Sequence, residues 1–392
     1  MVPNGWDVIK LRDVGKCLTG LTYSPKNVVD NGLLVLRSSN VQDSKLAFED
    51  NVYVDLDVPK EGRTKHGDIL LCVRNGSRRL IGKSAFITQE AEGYAHGAFM
   101  GLFRPIDTPD YTFQLFQSES FFKQVNQNLG ATINSINSGN LYDFKFPYPP
   151  IQEREKIAKI LSTWDKAIST TERLIDNSTQ QKKALMQQLL TGKKRLLDEA
   201  GKRFEGEWES LTIGDVVELF NGYAFKSSDA LEKGYKWLKI ANVGIGEIKW
   251  DNSSYLPEGY KDEYNRFNLK VGDVVVAMTR PTLGNQLKIA RLKNKADESL
   301  LNQRVAKLLF SEKVSSEYMY QLLSTIEVAL KLNHALLGTD PPNLSTKVLH
   351  EISMELPPLI EQQKIATVLT NADKEIELLE QQLADLQQEK KA

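Results

Sequence analysis

The chain is an internal duplication, and this property limits its fold more than any other feature of the sequence. Four landmarks of the first half recur 202 positions later in the second half. They are Trp6, Asp13-Val14, Gly20 and Asn40-Val41, matched by Trp208, Asp215-Val216, Gly222 and Asn242-Val243. Landmarks that keep their order and spacing over this distance predict two copies of one domain.

Two later landmarks recur at slightly larger offsets. Gly67-Asp68-Ile69 matches Gly272-Asp273-Val274 after 205 positions, and Pro149-Pro150 matches Pro357-Pro358 after 208. Growing offsets are expected when loops gain residues, since loops tolerate insertions better than the elements they connect. A copy of about 200 residues is also far longer than a solenoid repeat of about 20 to 50 residues. The duplication therefore predicts two globular domains and excludes a repeat array.

The composition agrees with an ordinary folded protein. Its 392 residues correspond to about two to three domains, and 41% of them are hydrophobic, which suffices for normal cores. The first ten residues lack the apolar run of a signal peptide, and no apolar stretch reaches the about 18 residues of a membrane span. We therefore expect a cytoplasmic protein with no membrane partner. Cys17 and Cys72 are both in the first copy, which excludes a shared disulfide or zinc framework, and we interpret them as reduced core residues.

Each copy begins with short segments typical of β-strands. In the first copy these are residues 6–14, 33–36 and 68–73, which Gly, Asn and Asp residues separate at turn-like intervals. Apolar residues on one face predict helices over 112–129 and 318–332. We therefore predict an α+β fold with two similar β-rich domains.

A long helix is predicted after each Pro-Pro step, since the prolines mark where a helix has not yet begun and Glu153 and Glu155 suit a first turn. Apolar residues then recur at alternating intervals of three and four, a heptad pattern that predicts a coiled-coil seam. The first helix, of about 40 residues, would be about 60 Å long. The seam residues are Ile157, Leu161, Trp164, Ile168 and Ile175 in the first helix, and Ile365, Leu369, Ile376, Leu379 and Leu383 in the second.

The residues alone leave two interpretations of these helices open. They could form an ordinary helical hairpin with a purely structural role, or a spacer that sets the distance between two domains. The duplication favours the spacer, because equal domains joined by equal helices suit a pseudo-two-fold arrangement. Such an arrangement would present two copies of one surface to an extended, repetitive partner.

The sequence contains no recognisable catalytic or metal-binding motif. His66, His96, His334 and His350 lack metal-ligand spacing, and neither a Gly-x-Ser-x-Gly motif nor a phosphate-binding Gly-Lys-Ser/Thr loop occurs. Asp340-Pro341-Pro342-Asn343 resembles the Asp/Asn-Pro-Pro-Tyr/Phe loop of amino-methyltransferases, but Asn343 replaces the aromatic residue that stacks on a flipped base. We interpret this segment as a turn that closes the second domain.

Two polar loops at matching positions are the strongest candidates for DNA recognition. Arg, Asn and Gln pair with guanine and adenine edges, while Ser, Thr and Lys suit phosphates. Since the net charge is −1, any attraction to phosphates must come from local clusters of cations or from a partner. The candidates are Arg74, Asn75, Ser77, Arg78, Arg79 and Lys83 in the first copy, and Thr279, Arg280, Thr282, Asn285, Gln286 and Lys288 in the second.

The alternative for each loop is a solvated surface loop without a ligand. Polar side chains of different identity at the same place in both copies favour recognition, because similar scaffolds with divergent loops would recognise two different sequences. A second pair of candidates comprises Arg37 and Ser38 in the first copy and Lys239 in the second. We interpret the adjacent Asn40 and Asn242 as turn-forming residues, because they recur unchanged.

With these residues in view, the chain resembles the specificity subunit of type I restriction-modification systems over essentially its whole length. The motifs are Gly5-Trp6, the Gly-Asp-Ile-Leu and Gly-Asp-Val-Val segments at 67 and 272, PPIQEREKIAKIL at 149–161, PPLIEQQKIATVL at 357–369, and KKALMQQLLTGKKRL at 182–196. The last string is typical of the central helix of this family.

The resemblance implies two target-recognition domains, at 1–150 and 201–358, each recognising one half of a bipartite asymmetric DNA sequence. Antiparallel helices at 151–200 and 359–392 would act as the spacer that fixes the gap between the halves. The family subunit is not catalytic and has no cofactor of its own. It docks two modification (M) subunits, which bind S-adenosylmethionine and methylate adenine, and restriction (R) subunits, which use ATP and Mg²⁺.

Two further expectations concern the second helix and the function. The second helix stops at Lys390-Lys391-Ala392, which aligns with Lys182-Lys183-Ala184, so we expect residues 185–190 of the first helix to be less covered. Two rival functions stay open: a self-sufficient DNA adenine methyltransferase, motivated by Asp340-Pro341-Pro342, and a symmetric protein-protein adaptor without a DNA role, motivated by the neutral charge.

Overall fold

A computed structural model describes residues 2–129, 134–338 and 340–391 of the chain. They form two compact units. Unit 1 comprises Met1–Thr170 with Asp385–Ala392, and unit 2 comprises Thr171–Ala384. Each of the two long helices therefore contributes residues to both units. None of the helices in the described part of the chain combines the length and apolar character that crossing a membrane requires.

Unit 1 consists of short strands followed by helices, in agreement with the predicted α+β class. Its helices are α1 (Leu11–Val14), α2 (Pro109–Gln117), α3 (Glu119–Asn128), α4 (Ser138–Tyr142) and the beginning of α5 (Ile151–Leu189). Its strands are β1 (Asp7–Lys10), β2 (Gly15–Thr19), β3 (Val28–Val29), β4 (Leu33–Leu36), β5 (Val41–Gln42), β6 (Lys45–Leu46), β7 (Tyr53–Val54), β8 (Ile69–Cys72), β9 (Ser84–Phe86), β10 (Ala95–His96), β11 (Met100–Pro105) and β12 (Lys145–Tyr148).

Two four-stranded sheets carry the core of unit 1. One has the order β2-β11-β8-β9 and the other the order β10-β4-β7-β3, with β10 and β4 parallel. Every residue of β8 is buried, and Leu70 packs with Leu36 and Leu102 in a cluster of apolar side chains. The strand β1 pairs with β12, so the start of the unit is joined to the segment that leads into α5.

Unit 2 repeats this arrangement. Its helices are α6 (Ile213–Val216), α7 (Tyr260–Glu263), α8 (Ser316–Leu323), α9 (Ile326–Ala335), α10 (Thr346–His350) and most of α11 (Leu359–Lys391). Its strands are β13 (Glu209–Thr212), β14 (Val217–Asn221), β15 (Tyr235–Leu238), β16 (Tyr255–Leu256), β17 (Asn268–Leu269), β18 (Val274–Ala277), β19 (Thr282–Leu283), β20 (Gln286–Leu287), β21 (Ile289–Arg291), β22 (Ser299–Leu301), β23 (Val305–Phe310) and β24 (Ser353–Leu356).

The sheets of unit 2 correspond to those of unit 1. The order β14-β23-β18-β21 matches β2-β11-β8-β9, and β15 runs parallel to β22 as β4 does to β10. The two units differ in the fourth strand of the second sheet: β17 pairs with β22, whereas β3 pairs with β7. The duplication seen in the sequence is therefore a duplication of topology with local changes.

The landmark residues of the duplication have structural roles. Asp13 and Asp215 each accept a hydrogen bond from the backbone N–H three residues earlier, at 2.9 and 2.7 Å, and so cap the short helices α1 and α6. Asn40 and Asn242 are buried and accept the N–H of Arg37 and Lys239, each at 2.9 Å. These contacts confirm that the two asparagines form turns.

Three secondary-structure predictions are wrong in detail. The segment 6–14 contains β1 and then α1, because the Asp13 cap starts a helical turn. The helix predicted over 112–129 is two helices, α2 and α3, because Ser118 has an extended backbone and caps α3 by accepting the N–H of Phe121. Thr325 does the same at the start of α9, so the prediction over 318–332 is also two helices.

The expectation that residues 185–190 are less covered is wrong for the apolar side chains of this segment. Leu189 is fully buried and Leu190 nearly so, and both belong to one apolar cluster with Ile365, Leu369 and Leu322. The end of α5 is covered because it forms part of the core of unit 2, in which the first turns of α11 also lie.

The predicted seam residues lie on the covered sides of the long helices. Ile365 and Leu369 are fully buried, and the other seam residues are half-buried. Within unit 2, Ser178 contacts Glu375 and Lys182 contacts Asp373, so these parts of α5 and α11 run antiparallel. The half-buried class comprises Ile157, Leu161, Trp164, Ile168, Ile175, Ile376, Leu379 and Leu383.

Candidate nucleic-acid interface

In unit 1, three segments meet where β8 ends. The N–H groups of Val73 and Arg74 donate to the carbonyl of Phe99, each at 3.1 Å. The N–H of Asn75 donates to Asn134 at 3.2 Å, and its side-chain amide donates to the hydroxyl of Ser38 at 3.2 Å. Two groups of residues predicted separately from the sequence, around 38 and around 75, are therefore adjacent.

The structure divides the candidates of this loop into supporting and exposed side chains. Asn75 also accepts the N–H of Ser77 at 2.9 Å, so its amide holds the loop in shape. Arg78 is exposed and donates to the carbonyl of Asn126 at 3.3 Å. Arg79 is exposed, and within the described residues it forms no ion pair. Lys83 is half-buried.

Arg37 and Lys239 directly follow the equivalent strands β4 and β15, and both have supporting contacts. Arg37 forms an ion pair with Asp50 at 2.9 Å and is two-thirds covered. Lys239 donates to Ser254 at 2.5 Å and lies 5.2 Å from the centre of the Trp237 ring. Both cations therefore fasten the loop after their strand to the chain segment that follows, which leaves them less free to contact a ligand.

In unit 2 the corresponding loop is a β-hairpin formed by β19 and β20. The N–H of Arg280 donates to the carbonyl of Pro342 at 2.8 Å, and the hydroxyl of Thr279 donates to Asn343 at 3.1 Å. Asn333 of α9 accepts from Thr282 at 2.5 Å and donates to the carbonyl of Gly284 at 3.0 Å. These contacts fix the base and the tip of the hairpin.

The exposed surface of this hairpin carries amide and cationic groups. Asn285 and Gln286 are exposed at its tip, and Arg280 is exposed at its base with a positive φ of 48°. Burial lowers the pKa of the Lys288 ammonium below its ordinary value, and the nearby Arg280 lowers it further. An anion placed beside Arg280 and Lys288 would relieve this repulsion, as a phosphate does.

Neither the histidines nor the Asp-Pro-Pro-Asn segment belongs to a metal-binding group in the described part of the chain. No group of three or more His, Cys, Asp or Glu side chains among the described residues could hold a metal ion. His96 is buried, which lowers the pKa of its imidazole. In the Asp-Pro-Pro-Asn segment, the carbonyl of Pro342 accepts the N–H of Arg280 and the side chain of Asn343 accepts the hydroxyl of Thr279, so the segment supports the hairpin.

Three exposed side chains beside these loops were missed by the sequence interpretation. They are Phe99 in unit 1 and Gln303 and Arg304 in unit 2, each just before the strand that pairs with β8 or β18. The offset of 205 that aligns Gly67 with Gly272 also aligns Phe99 with Arg304. This alignment was the available signal, but no sequence rule places residue 99 beside residue 74.

The comparisons with known proteins agree on one family. The model of the type I restriction modification DNA specificity domain matches twice, at residues 3–177 and 205–388. The chain is 36% identical to the specificity subunit of the type I restriction enzyme MjaVIII of Methanocaldococcus jannaschii, over 100% of this chain and 91% of that protein. It is 28% identical to the EcoKI specificity subunit of Escherichia coli, over 70% of this chain and 61% of that protein.

Solved structures share the fold. The type I restriction-modification S subunit from M. genitalium superposes with a TM-score of 0.65 at 15% identity, covering 100% of this chain and 96% of that one. A chain from a study of complex assembly and conformational transition of a type I system gives a TM-score of 0.52 at 16% identity, covering 100% and 97%.

Proposed function

Because the chain belongs to the type I restriction modification DNA specificity family, we propose that it is the sequence-recognition subunit of a type I restriction-modification complex. Each unit recognises one half of a bipartite, asymmetric DNA site, and the two long helices set the gap between the halves. The observation that carries this proposal is one loop cluster that repeats on one scaffold with different exposed side chains. The cluster comprises the loops after β4 and β8 in unit 1 and the loops after β15 and β18 in unit 2.

The exposed groups of the two clusters match the chemistry of DNA. Guanidinium and amide groups form paired hydrogen bonds with base edges in the major groove, and cations bind phosphates. Unit 1 offers Arg78 and Arg79, and unit 2 offers Arg280, Asn285 and Gln286. Because these sets differ, the two half-sites differ in sequence.

The net charge of −1 limits what the chain does alone. The few exposed cations of the candidate loops supply only a small number of phosphate contacts, and binding strength depends steeply on that number. High affinity therefore requires partners that bring further contacts. We expect weak, salt-sensitive DNA binding by the isolated chain and tight, specific binding by the assembled complex.

The proposed partners supply the chemistry. Two M subunits dock on the helices, bind S-adenosylmethionine and methylate adenine in the recognised site. R subunits add cleavage that uses ATP and Mg²⁺. The chain itself contributes recognition and assembly without a catalytic step, and the complex acts in the cytoplasm, where its DNA substrate is.

The test is to map methyladenine in the genome of cells that express this chain with the M subunit of its own system. We expect a new methylated motif with two short specified halves separated by a fixed gap. Cells that express M alone are the control and should lack the motif. A stable complex with M that methylates no bipartite motif would refute the proposal and favour the adaptor function.

A separate measurement addresses the methyltransferase function. Titration calorimetry of the isolated chain with S-adenosylmethionine should give no binding heat, whereas the assembled complex should bind this cofactor. Saturable binding by the isolated chain would contradict the non-catalytic role.

A further inference from the structure

In each unit, one loop forms hydrogen bonds where the two segments with the candidate residues begin. We call it the central-strand loop: residues 97–99 before β11 in unit 1 and residues 302–304 before β23 in unit 2. In unit 1, the N–H of Gly97 donates to the carbonyl of Leu36 at 2.9 Å, and the carbonyl of Phe99 accepts from Val73 and Arg74. The loop therefore lies between the residues preceding Arg37 and the loop that begins at Arg74.

The central-strand loop of unit 2 has the same neighbours. The N–H of Asn302 donates to the carbonyl of Leu238 at 3.1 Å, and the carbonyl of Arg304 accepts from Met278 at 2.9 Å. Leu238 and Met278 directly precede the candidates Lys239 and Thr279. The central-strand loop thus contacts the same two segments in both units.

Two glycines of the duplication hold this loop in place. A Cβ at Gly20 would lie 2.1 Å from the carbonyl oxygen of Gly97, and one at Gly222 would lie 2.3 Å from that of Asn302. Any side chain there would push the loop away. The close packing fixes the loop backbone, so its outward side chains project from a rigid support, as a recognition surface needs.

The outward side chains of the loop in unit 2 are polar. Gln303 and Arg304 are exposed, and Arg304 pairs with no carboxylate in the described part of the chain. The side chain of Asn302 is used internally, because its oxygen accepts the N–H of Arg304 at 3.0 Å. Two side chains that suit base edges are therefore free at the tip.

The outward side chain of the loop in unit 1 is aromatic. Phe99 is 59% exposed, and the guanidinium carbon of Arg74 lies 5.8 Å from the centre of its ring. An aromatic face beside a cation can contact a thymine methyl group while the cation binds a base edge or a phosphate.

We propose that the central-strand loop is a further specificity-determining element of each unit, which rests on the function proposed above. Arg304 and Gln303 contact bases in the half-site of unit 2, and Phe99 with Arg74 contacts bases in the half-site of unit 1. Pairing chemistry assigns guanine to Arg304, adenine to Gln303 and a thymine methyl group to Phe99.

The test uses the complex of the full chain with its M subunits and a set of DNA duplexes. Each duplex carries the methylated motif with one base pair changed, and affinity is measured at fixed salt for wild type, Arg304→Ala, Gln303→Ala and Phe99→Ala. We expect Arg304→Ala and Gln303→Ala each to lose about 5- to 150-fold discrimination at a base pair of one half. Phe99→Ala should lose discrimination only in the other half.

Lys313→Ala is the matched control. Lys313 is also an exposed cation of unit 2, but it follows the far end of β23, whereas Arg304 precedes that strand. Its loss should leave discrimination at every base pair unchanged. If Arg304→Ala assembles poorly, Arg304→Lys keeps the charge and removes the paired hydrogen bonds, and it should relax the same base pair.

The measurement distinguishes failure of this inference from failure of the proposed function. If the wild-type complex discriminates both halves while the Arg304, Gln303 and Phe99 variants keep full discrimination everywhere, this inference is wrong and the proposed function stands. If the wild-type complex prefers no bipartite site, the proposed function itself fails. Relaxation of both halves by one variant would also overturn the inference, because each loop belongs to one unit.

Discussion

Lys182 of α5 and Asp373 of α11 form an ion pair with an Nζ–Oδ1 distance of 2.5 Å, and the same carboxylate accepts a hydrogen bond from Gln321 at 2.7 Å. Unit 1 contains the equivalent set: Asp165 accepts from Lys390 at 2.5 Å and from Gln114 at 2.9 Å. In each unit, one aspartate therefore joins two long helices and a helix of the globular part. Such a contact fixes the register of the antiparallel helices.

We predict that Asp373→Ala lowers the stability of unit 2 by about 1 to 2 kcal/mol, because it removes a charged hydrogen bond and a partly exposed ion pair. A double-mutant cycle with Lys182→Ala should give a coupling of about 0.5 to 1 kcal/mol. Urea denaturation measures both values. The control is Asp176→Ala, which removes an exposed carboxylate of α5, the helix that carries Lys182. A coupling near zero would mean that the pair does not hold the register.

A second prediction concerns the covered end of α5. Leu189→Ala should destabilise unit 2 by about 2 to 4 kcal/mol, because it leaves a cavity in the cluster that contains Ile365 and Leu369. Leu174→Ala is the matched control, since Leu174 lies on the same helix but is 45% exposed. Equal thermal shifts for the two variants would contradict burial of the helix end.

The ion pair between Arg154 and Asp107 should make the stability of unit 1 depend on pH. The Arg154 guanidinium pairs with Asp107 at 2.5 Å and contacts Thr108 and Tyr148. Burial raises the pKa of the Asp107 carboxyl, but the hydrogen bonds from Arg154 and Thr108 outweigh this and hold the pKa below its usual value of 3.8. A carboxyl whose pKa is lower in the folded chain than in the unfolded chain stabilises the fold at pH values above the unfolded pKa. This stability is lost as the pH falls through the folded pKa.

Asp107→Asn should therefore reduce stability at pH 7 by about 1 to 2 kcal/mol. The loss is smaller than for a fully buried pair, because the Asp107 side chain is 43% exposed. The difference from wild type should shrink as pH falls below about 4. Thermal unfolding between pH 3 and 7 tests this, with Asp110→Asn as the exposed control. A difference that is constant over this pH range would exclude the pair as its source.

Substitution of an exposed arginine in one unit should affect recognition of one half-site only. Arg79→Ala should relax recognition of one half-site and Arg280→Ala the other, each by about 5- to 150-fold at the affected base pair. The methylated motifs of cells expressing each variant with M measure this directly. Lys26→Ala, an exposed cation outside the loop cluster, should leave the motif unchanged. Relaxation of both halves by either variant would refute two independent recognition units.

Sequence reasoning reached the features that repeat or have a short period. Landmark spacing identified two domains, the heptad pattern placed α5 and α11, and strand patterns placed β4 and β8. The loops after β8 and β18 were also identified, because both copies carry polar residues at the same offset. These features can be recognised from the sequence alone, since each depends on residues a few positions apart or on a fixed offset between the two copies.

The partners of individual side chains were decided by the tertiary structure. Arg37 looked free in the sequence, but Asp50 neutralises it, and Leu189 looked uncovered, but the core of unit 2 buries it. Phe99 lies beside Arg74 only because β11, which follows Phe99, pairs with β8, which precedes Arg74. Arg304 lies beside Met278 for the same reason, since β23 pairs with β18. Sequence determined which chemical groups the two units carry. The folded sheets determined which of those groups stay exposed, because burial and hydrogen bonding depend on contacts between residues far apart in the chain.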